Sequence, residues 1–184
     1  MRDPAPPYVG ESPPALWHVS ENPAIERFRP HVSMTASSRE PRVWAVDTRH
    51  LPLYWFPRDC PRGTFWATSQ TTEGDAGLLG EAPRVHLVES AWVPAMHTTR
   101  VVAYRLREET FAPDPEVGGY WLSREPVEPV EVVELGDLVL RHEQSGIELR
   151  AIESLWPTWN RVVESTLEFS GIRLHNAVPQ PATF

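Results

Sequence analysis

The sequence predicts an α+β fold: a mixed, mostly antiparallel sheet carrying short helices. Three observations lead there. Twenty of the 184 residues are proline, and proline breaks helix interiors, which excludes a long-helix bundle or a coiled coil. Short apolar strings, at 16–19 and 42–46 for example, recur between turn-forming residues, as strands do. The segments 84–89 and 100–107 alternate polar and apolar residues, the period of a strand with one wet face. No internal repeat is present.

Taken in order, residues 1–14 are expected to form a flexible arm, because Pro4, Pro6, Pro7, Pro13 and Pro14 among small polar residues build no packed element. A single globular domain at 15–176 and a loose tail at 177–184 follow. Leu16, Trp17, His18 and Val19 read as a short buried strand. Asn22 and Pro23 then cap and open a brief helix with Ile25 and Phe28 inward, ended by Pro30. A polar stretch at 33–39 leads to a second strand at 42–46, whose exit residue Asp47 caps a turn or two of helix through Trp55. The string Pro57-Arg58-Asp59-Cys60-Pro61-Arg62 is a rigid turn, and 64–68 is a third strand. The Gly-, Thr- and acid-rich segment 69–83 is long enough for a mobile loop over a site.

Further on, 84–89 and 100–107 are expected as half-exposed strands, with 120–123 and 130–135 as two more. Gly136 and Asp137 begin a short helix closed by Gly146, and 147–151 returns as strand. The strongest helix signal spans 157–169, opened by Pro157, with Trp159, Val162, Val163, Thr166 and Leu167 on one stripe. A last strand is expected at 172–174.

Charge and cysteine narrow the function classes. With 17 basic and 25 acidic residues the formal net charge is −8, which disfavours general nucleic-acid binding because neutralising phosphates takes an excess of cations. No residue is lysine, so Schiff-base and Walker-lysine chemistry are excluded. The basic residues cluster locally, five arginines falling between Arg39 and Arg62, a strip suited to a small anion such as pyrophosphate. Cys60 is the only cysteine; an intramolecular disulfide and a cysteine-based zinc site are impossible, and a reducing compartment fits. The N-terminal residues lack a signal-peptide core, and no apolar run approaches the ~20 residues of a membrane span. The expected location is cytoplasmic. Seven histidines form neither an HxH nor an HExxH pattern, so no metal is expected.

His18 and Ser20 are two residues apart on a strand and share a side of it; such a pair suits a ribose or a phosphate, while a buried histidine bonded to a carbonyl is the plainer reading of His18. Arg58 and Arg62 beside a proline-fixed turn suit bidentate grip of a phosphate, or else an Arg–Asp pair closes the turn. Cys60 is a nucleophile only if a histidine lies within reach of its sulfur; otherwise it is a small buried apolar residue.

The string Leu16-Trp17-His18-Val19-Ser20 resembles the aromatic-His-x-Thr/Ser strand that opens NAD-using ADP-ribosyltransferase-like domains of the diphtheria-toxin type. Wider blocks, LWHVSENPAIERFRP, VWAVDTRHLPLYWFPRDCPRGTFWA, GYWLSREPVEP, GIELR and STLEFSGIRLHNA, resemble an uncharacterised bacterial family without an established activity. The first resemblance implies an ADP-ribosyltransferase-like sheet with NAD as cofactor. It assigns His18 and Ser20 to the nucleoside, Tyr120 to nicotinamide, and Glu148, with Glu125 as competitor, to the positive charge that develops on ribose. Arg58 and Arg62 would take the phosphates. The sequence departs from that pattern in lacking a Ser-Thr-Ser strand. The expected function is therefore binding of NAD or another small nucleotide, with ADP-ribosyl transfer as its catalytic extension; the competing reading is a non-catalytic binding or protein-interaction module. Convergence of His18, Tyr120 and Glu148 on one cleft would separate the two.

Overall fold

The computed structural model describes residues 5–6, 15–32 and 40–180, and these build two sheets joined by short helices, the mixed, mostly antiparallel α+β class expected from the proline content. In chain order the strands are β1 Leu16–Ser20, β2 Val43–Asp47, β3 Arg62–Trp66, β4 Arg84–Glu89, β5 Val102–Leu106, β6 Phe111–Pro113, β7 Tyr120–Ser123, β8 Pro129–Glu134, β9 Glu148–Ile152 and β10 Glu168–Ile172. The α-helices are α1 Glu73–Ala76, α2 Val93–Thr98, α3 Leu138–Gln144 and α4 Trp156–Val163. Two compact units divide them: 15–32, 40–52 and 100–135 form the first, and 5–6, 53–99 and 136–180 the second.

The first unit is a six-stranded sheet in the order β6-β7-β2-β1-β5-β8, each strand antiparallel to its neighbours. Alternation places Leu16, Val43, Ala45, Val102, Tyr104 and Leu106 on one face, where they form the core with Phe28 and Val127. The helix expected at 23–30 does not form. Phe28 instead spends both backbone groups on Val127, at 2.8 and 2.9 Å, and the residues before it are held by local bonds: Ser20 Oγ accepts from Asn22 N and Asn22 Oδ1 from Ala24 N. Two inward residues, Ile25 and Phe28, are too few to hold a helix against that pairing. The polar stretch at 33–39 lies outside the described residues. At the exit of β2, Asp47 Oδ1 accepts the His50 backbone N–H at 2.9 Å and the ring Nδ1–H at 2.8 Å, and the chain makes the expected single turn, of 3-10 type, over Leu51–Tyr54. Gly119, at φ +81°, lies so close to this ring that a Cβ would sit 2.2 Å from His50 Nδ1.

In the second unit β3 lies between β10 and β4, antiparallel to both, and β9 joins β4 in parallel. Phe65, Val85 and Leu87 on one face form a core with Leu79, Leu155, Trp159, Val162 and Leu167. The strand at 84–89 is buried along its whole length rather than half-exposed, because this sheet is covered on both faces. The segment 69–83 is structured: Thr72 caps α1, Asp75 accepts hydrogen bonds from Thr166 N and Oγ1 at 2.9 and 2.6 Å, and Leu79 enters the core. The helix expected at 157–169 stops at Val163, and 168–172 is strand β10. Ser165 Oγ donates to Val162 O and accepts from Leu167 N, turning the chain after the helix, and β10 then finds its full ladder on β3. The strand expected at 172–174 gives way to a left-handed Arg173, φ 57°, and a 3-10 turn over Leu174–Asn176. Helix α2, with Met96 buried, had no counterpart in the sequence reading. Of the expected arm, Ala5 is buried against Leu53 and Trp66; Val178 in the expected tail accepts from Trp156 Nε1 at 2.6 Å.

Gly63 and Gly171 face each other across β3 and β10, and the missing side chains leave a flat seat for the Trp159 indole. A Cβ at Gly63 would lie 2.5 Å from that ring and one at Gly171 2.7 Å. Gly63→Ala is expected to cost about 1–3 kcal/mol by overpacking and to lower the melting temperature by several degrees; an unchanged melting curve would show that the indole is not seated there.

Candidate functional site

On β1, His18 and Ser20 lie on the same face, as their spacing requires, and that face is the core side of the first sheet: His18 is opposite Tyr104 and Ser20 opposite Val102. The His18 ring is half-buried. Its Nδ1 lies 2.9 Å from the Trp44 carbonyl, which can only accept, so Nδ1 carries the hydrogen. The ring packs on Phe28 at 4.6 Å between centroids, and Phe28 meets Tyr104 edge-on at 5.3 Å. Tyr104 locks the adjoining turn, donating to Asn22 O at 2.6 Å and accepting from Ile25 N at 3.0 Å. Imidazole, hydroxyl and turn are thus held by bonds already made.

Tyr120 is not brought to this face. It pairs with Val46, which pairs with Trp17, and strand alternation sends Trp17 and His18 to opposite sides. The second sheet separates its residues in the same way. Arg58 is exposed on the turn, whereas Arg62, the first residue of β3, is buried. Glu148 pairs with Val85 on β9, on the face opposite Arg62, and its Oε1 accepts from Arg150 Nε at 2.7 Å. Glu125 is exposed.

The same sheet carries a polar constellation of which the sequence singled out only Arg62. The face opposite the Phe65 core bears Arg62, Thr64, Arg84 and His86, none more than 3% exposed. His86 is at its centre, opposite Thr64 and two residues from Arg84, with Arg62 on the diagonal. Arg62 is fixed by two carbonyls, Nε to Leu53 O at 3.1 Å and Nη1 to Cys60 O at 3.0 Å, and lies over the Tyr54 and Phe56 rings. Arg84 lies over Trp66. From α3, His142 reaches in: its Nδ1 is 2.6 Å from Leu138 O, and its Nε2 is 2.8 Å from His86 Nδ1. The carbonyl fixes the hydrogen on His142 Nδ1, so His142 Nε2 accepts, His86 Nδ1 donates, and His86 Nε2 is left with its lone pair. That atom is buried and, among the described residues, has no hydrogen-bond partner.

Both rings are neutral. Burial, then the charge of Arg84, the neighbouring His142 and the charge of Arg62, hold His86 well below the usual imidazole range. Burial lowers His142 to about 4, against its bond to Leu138, with Arg84 and Arg141 adding to the depression. The signal for this site in the sequence is the alternation of Arg84 and His86 with valine and leucine, which a wet strand shares; nothing local distinguishes the two cases. His142 sits in a helix 56 residues away.

Cys60 is buried; its sulfur contacts the Pro61 carbonyl at 3.6 Å, and among the described residues no histidine bonds to it. Burial pushes the thiol up to about 12, the opposing influence of Arg62 being smaller. The turn that carries it forms as expected, Cys60 N bonding Pro57 O at 3.0 Å. Among the described residues no three His, Cys, Asp or Glu side chains cluster as a metal site, and no helix is long and apolar enough to cross a membrane.

These features define an α+β protein with two separately organised sheets, one presenting a fixed imidazole at a half-buried strand and the other enclosing a cationic, histidine-containing face. A family of unknown function, DUF6886, matches residues 17–177, and the chain belongs to that family. No curated protein and no solved structure matches it, so the ADP-ribosyltransferase resemblance rests on the residues of the opening strand alone.

Two outcomes test the chemistry of the buried groups. Iodoacetamide at pH 8–9 is expected to leave Cys60 unmodified in the native protein and to label it in urea; native labelling would contradict a buried, protonated thiol. His86 and His142 are depressed in the fold, so below pH 6.5 the unfolded chain binds protons that the native state refuses. Stability is then fully present above pH 6.5 and falls as pH falls toward 4. For His142 the loss between pH 6.5 and 5 is on the order of 2 kcal/mol, read as a drop in urea midpoint. His142→Phe is expected to reduce that slope to the part due to His86; an equal slope in the variant would contradict the assignment.

Proposed function

We propose that the chain binds NAD or a related nucleotide through the His18–Ser20 strand of the first unit, as a binding module without transfer chemistry. The observation that carries the reading is the fixed imidazole: His18 is oriented by the Trp44 carbonyl and backed by Phe28, while Ser20 stands on the same face with its oxygen already accepting from Asn22 N and its hydroxyl hydrogen able to turn toward a ribose oxygen. A site whose polar groups are held before the ligand arrives loses little entropy on binding. The transfer reaction is left out for two reasons. Tyr120 lies on the opposite face from His18, and Glu148 is engaged by Arg150, which draws its charge away from the role of stabilising an oxocarbenium.

Calorimetric titration of the full chain with NAD, ADP-ribose and nicotinamide mononucleotide tests this. Binding of at least one is expected. His18→Phe, which keeps a ring on Phe28 and removes both nitrogens, is expected to weaken it about tenfold, the worth of one net hydrogen bond. Absence of binding by all three sinks the proposal, and nicotinamide release from NAD above the uncatalysed rate would show that transfer chemistry is present.

A further inference from the structure

We propose that strand β8, at the edge of the first sheet, is the contact through which two copies of this chain pair, antiparallel and about a two-fold axis at Val132. The inference does not rest on the nucleotide reading: His18 and Ser20 lie on β1, and β5 stands between β1 and β8.

It starts from how the two edges of that sheet are finished. An edge strand offers its outward N–H and C=O groups to another chain, and proteins commonly blunt it with proline, with a very short strand or with a bulge. The β6 edge is blunted twice, being three residues long and ending in Pro113. Strand β8 has six residues, and its protection is confined to its start, where Pro129 sits and the register shifts opposite Arg105 and Leu106. From Glu131 to Glu134 the ladder on β5 is regular. The other side of β8 pairs with no strand among the described residues. Val130 and Val132 are 48% and 49% exposed, and Val132, opposite Tyr104, lies on the face that carries the core. The apolar face of the sheet thus runs out to an uncovered edge.

The backbone dictates how a copy docks. Leu135 N donates to Val101 O, and successive residues of a strand turn their backbone groups alternately to one side and the other. Val133 therefore faces β5, and Val132 presents its N–H and C=O outward. A two-fold axis joins outward residues to outward residues, so it falls on a residue, and the central choices are Glu131, Val132 and Val133. On Glu131 it sets two carboxylates directly opposite each other, which is destabilising. On Val133 the contact within β8 shrinks to residues 132–134. On Val132 it spans 130–134, joins Val132 to its copy by two N–H···O=C bonds, and sets each glutamate against valine: Glu131 opposite Val133, and Glu134 opposite Val130. The acids are also met within their own chain, Glu131 by Arg105 at 3.9 Å and Glu134 by Arg100. An apolar strand of the same kind therefore fits this edge better than a basic peptide does. A contact of one short strand is small, so the dimer is expected to be weak, in the micromolar range.

The test uses the full chain at pH 7 in about 0.15 M sodium chloride, which screens the repulsion between two chains of net charge −8. Sedimentation velocity over about 5–500 μM is expected to show one chain passing to two as concentration rises. Val132→Lys, which sets like charges opposite each other on the axis, is expected to raise the Kd about tenfold with the melting temperature unchanged. Leu140→Lys, at an apolar residue of α3 that is 48% exposed, is expected to leave association as it is. Val132→Cys reads the register: on the axis the two Cα atoms are about 5.5 Å apart, within disulfide reach, so mild oxidation links the copies. Val133→Cys, whose copies stand on a diagonal about 7–8 Å apart, stays unlinked, and the buried Cys60 takes no part. Should Val132→Lys not fold, the crosslink still decides. A chain that is monomeric throughout, a dimer unmoved by Val132→Lys or weakened equally by Leu140→Lys, or a link through Val133 in preference to Val132 overturns the proposal.

Discussion

Much of the second unit is arranged around the need to bury Arg62, Arg84 and His86 on one face of a sheet. Charged and polar groups removed from water are tolerated only where partners replace the solvent, and these partners come from chain segments that must therefore be in place. The carbonyls of Leu53 and Cys60 face Arg62, which fixes the course of the chain through the proline-flanked turn at 57–61. The Tyr54, Phe56 and Trp66 rings take the flat faces of the guanidinia. Packing and electrostatics act together here, since a cation over an aromatic face gains more once it is desolvated.

The same requirement reaches α3. His142 has to present Nε2 to His86, and a seven-residue helix holds it there. Asp137 caps the helix by accepting from Val139 N and Leu140 N, and its other oxygen takes His97 of α2 at 2.8 Å. These bonds lower the Asp137 carboxyl below its ordinary range, the His97 bond contributing most. The His142–Leu138 bond then sets the tautomer of both imidazoles. A helix cap and a strand histidine are in this way parts of one chain of hydrogen bonds, which is why short elements suffice where propensity alone would not hold them.

What the sequence made legible and what it hid follow from range. Most strand positions, the single turn after Asp47, the Asp137 cap and the turn at 57–61 each depend on neighbours within a few residues and stand as expected, whereas β6 and β10 were not read as strands and the strand expected at 172–174 gives way to a turn. The 157–169 segment misled because Thr166 and Leu167 continue the stripe of α4 in sequence, while Asp75, some ninety residues away, binds Thr166 and starts a different path. In the site, the relation of His18 to Ser20 is a two-residue rule and was visible. Whether Tyr120 shares their face depends on the register of two further strands, and whether Arg84 and His86 face water depends on what covers the sheet. Neither is written locally.

The two sheets also test each other as designs. In the first, Leu16, Val43, Ala45, Val102 and Leu106 fill most of the inward face, the apolar burial that stabilises a sheet, and His18 and Ser20 share that face. The second shows that this chain can do the same, since Phe65, Val85 and Leu87 fill one of its faces. On its other face apolar residues would be cheaper: exchanging buried ionic groups for well-packed hydrophobic ones is often neutral or stabilising by about 1–4 kcal/mol, and a bare buried acceptor such as His86 Nε2 costs about 1–3 kcal/mol more. What offsets that cost is a set of partners from separate segments: the Leu53 and Cys60 carbonyls on Arg62, the Trp66 ring under Arg84 and His142 on His86.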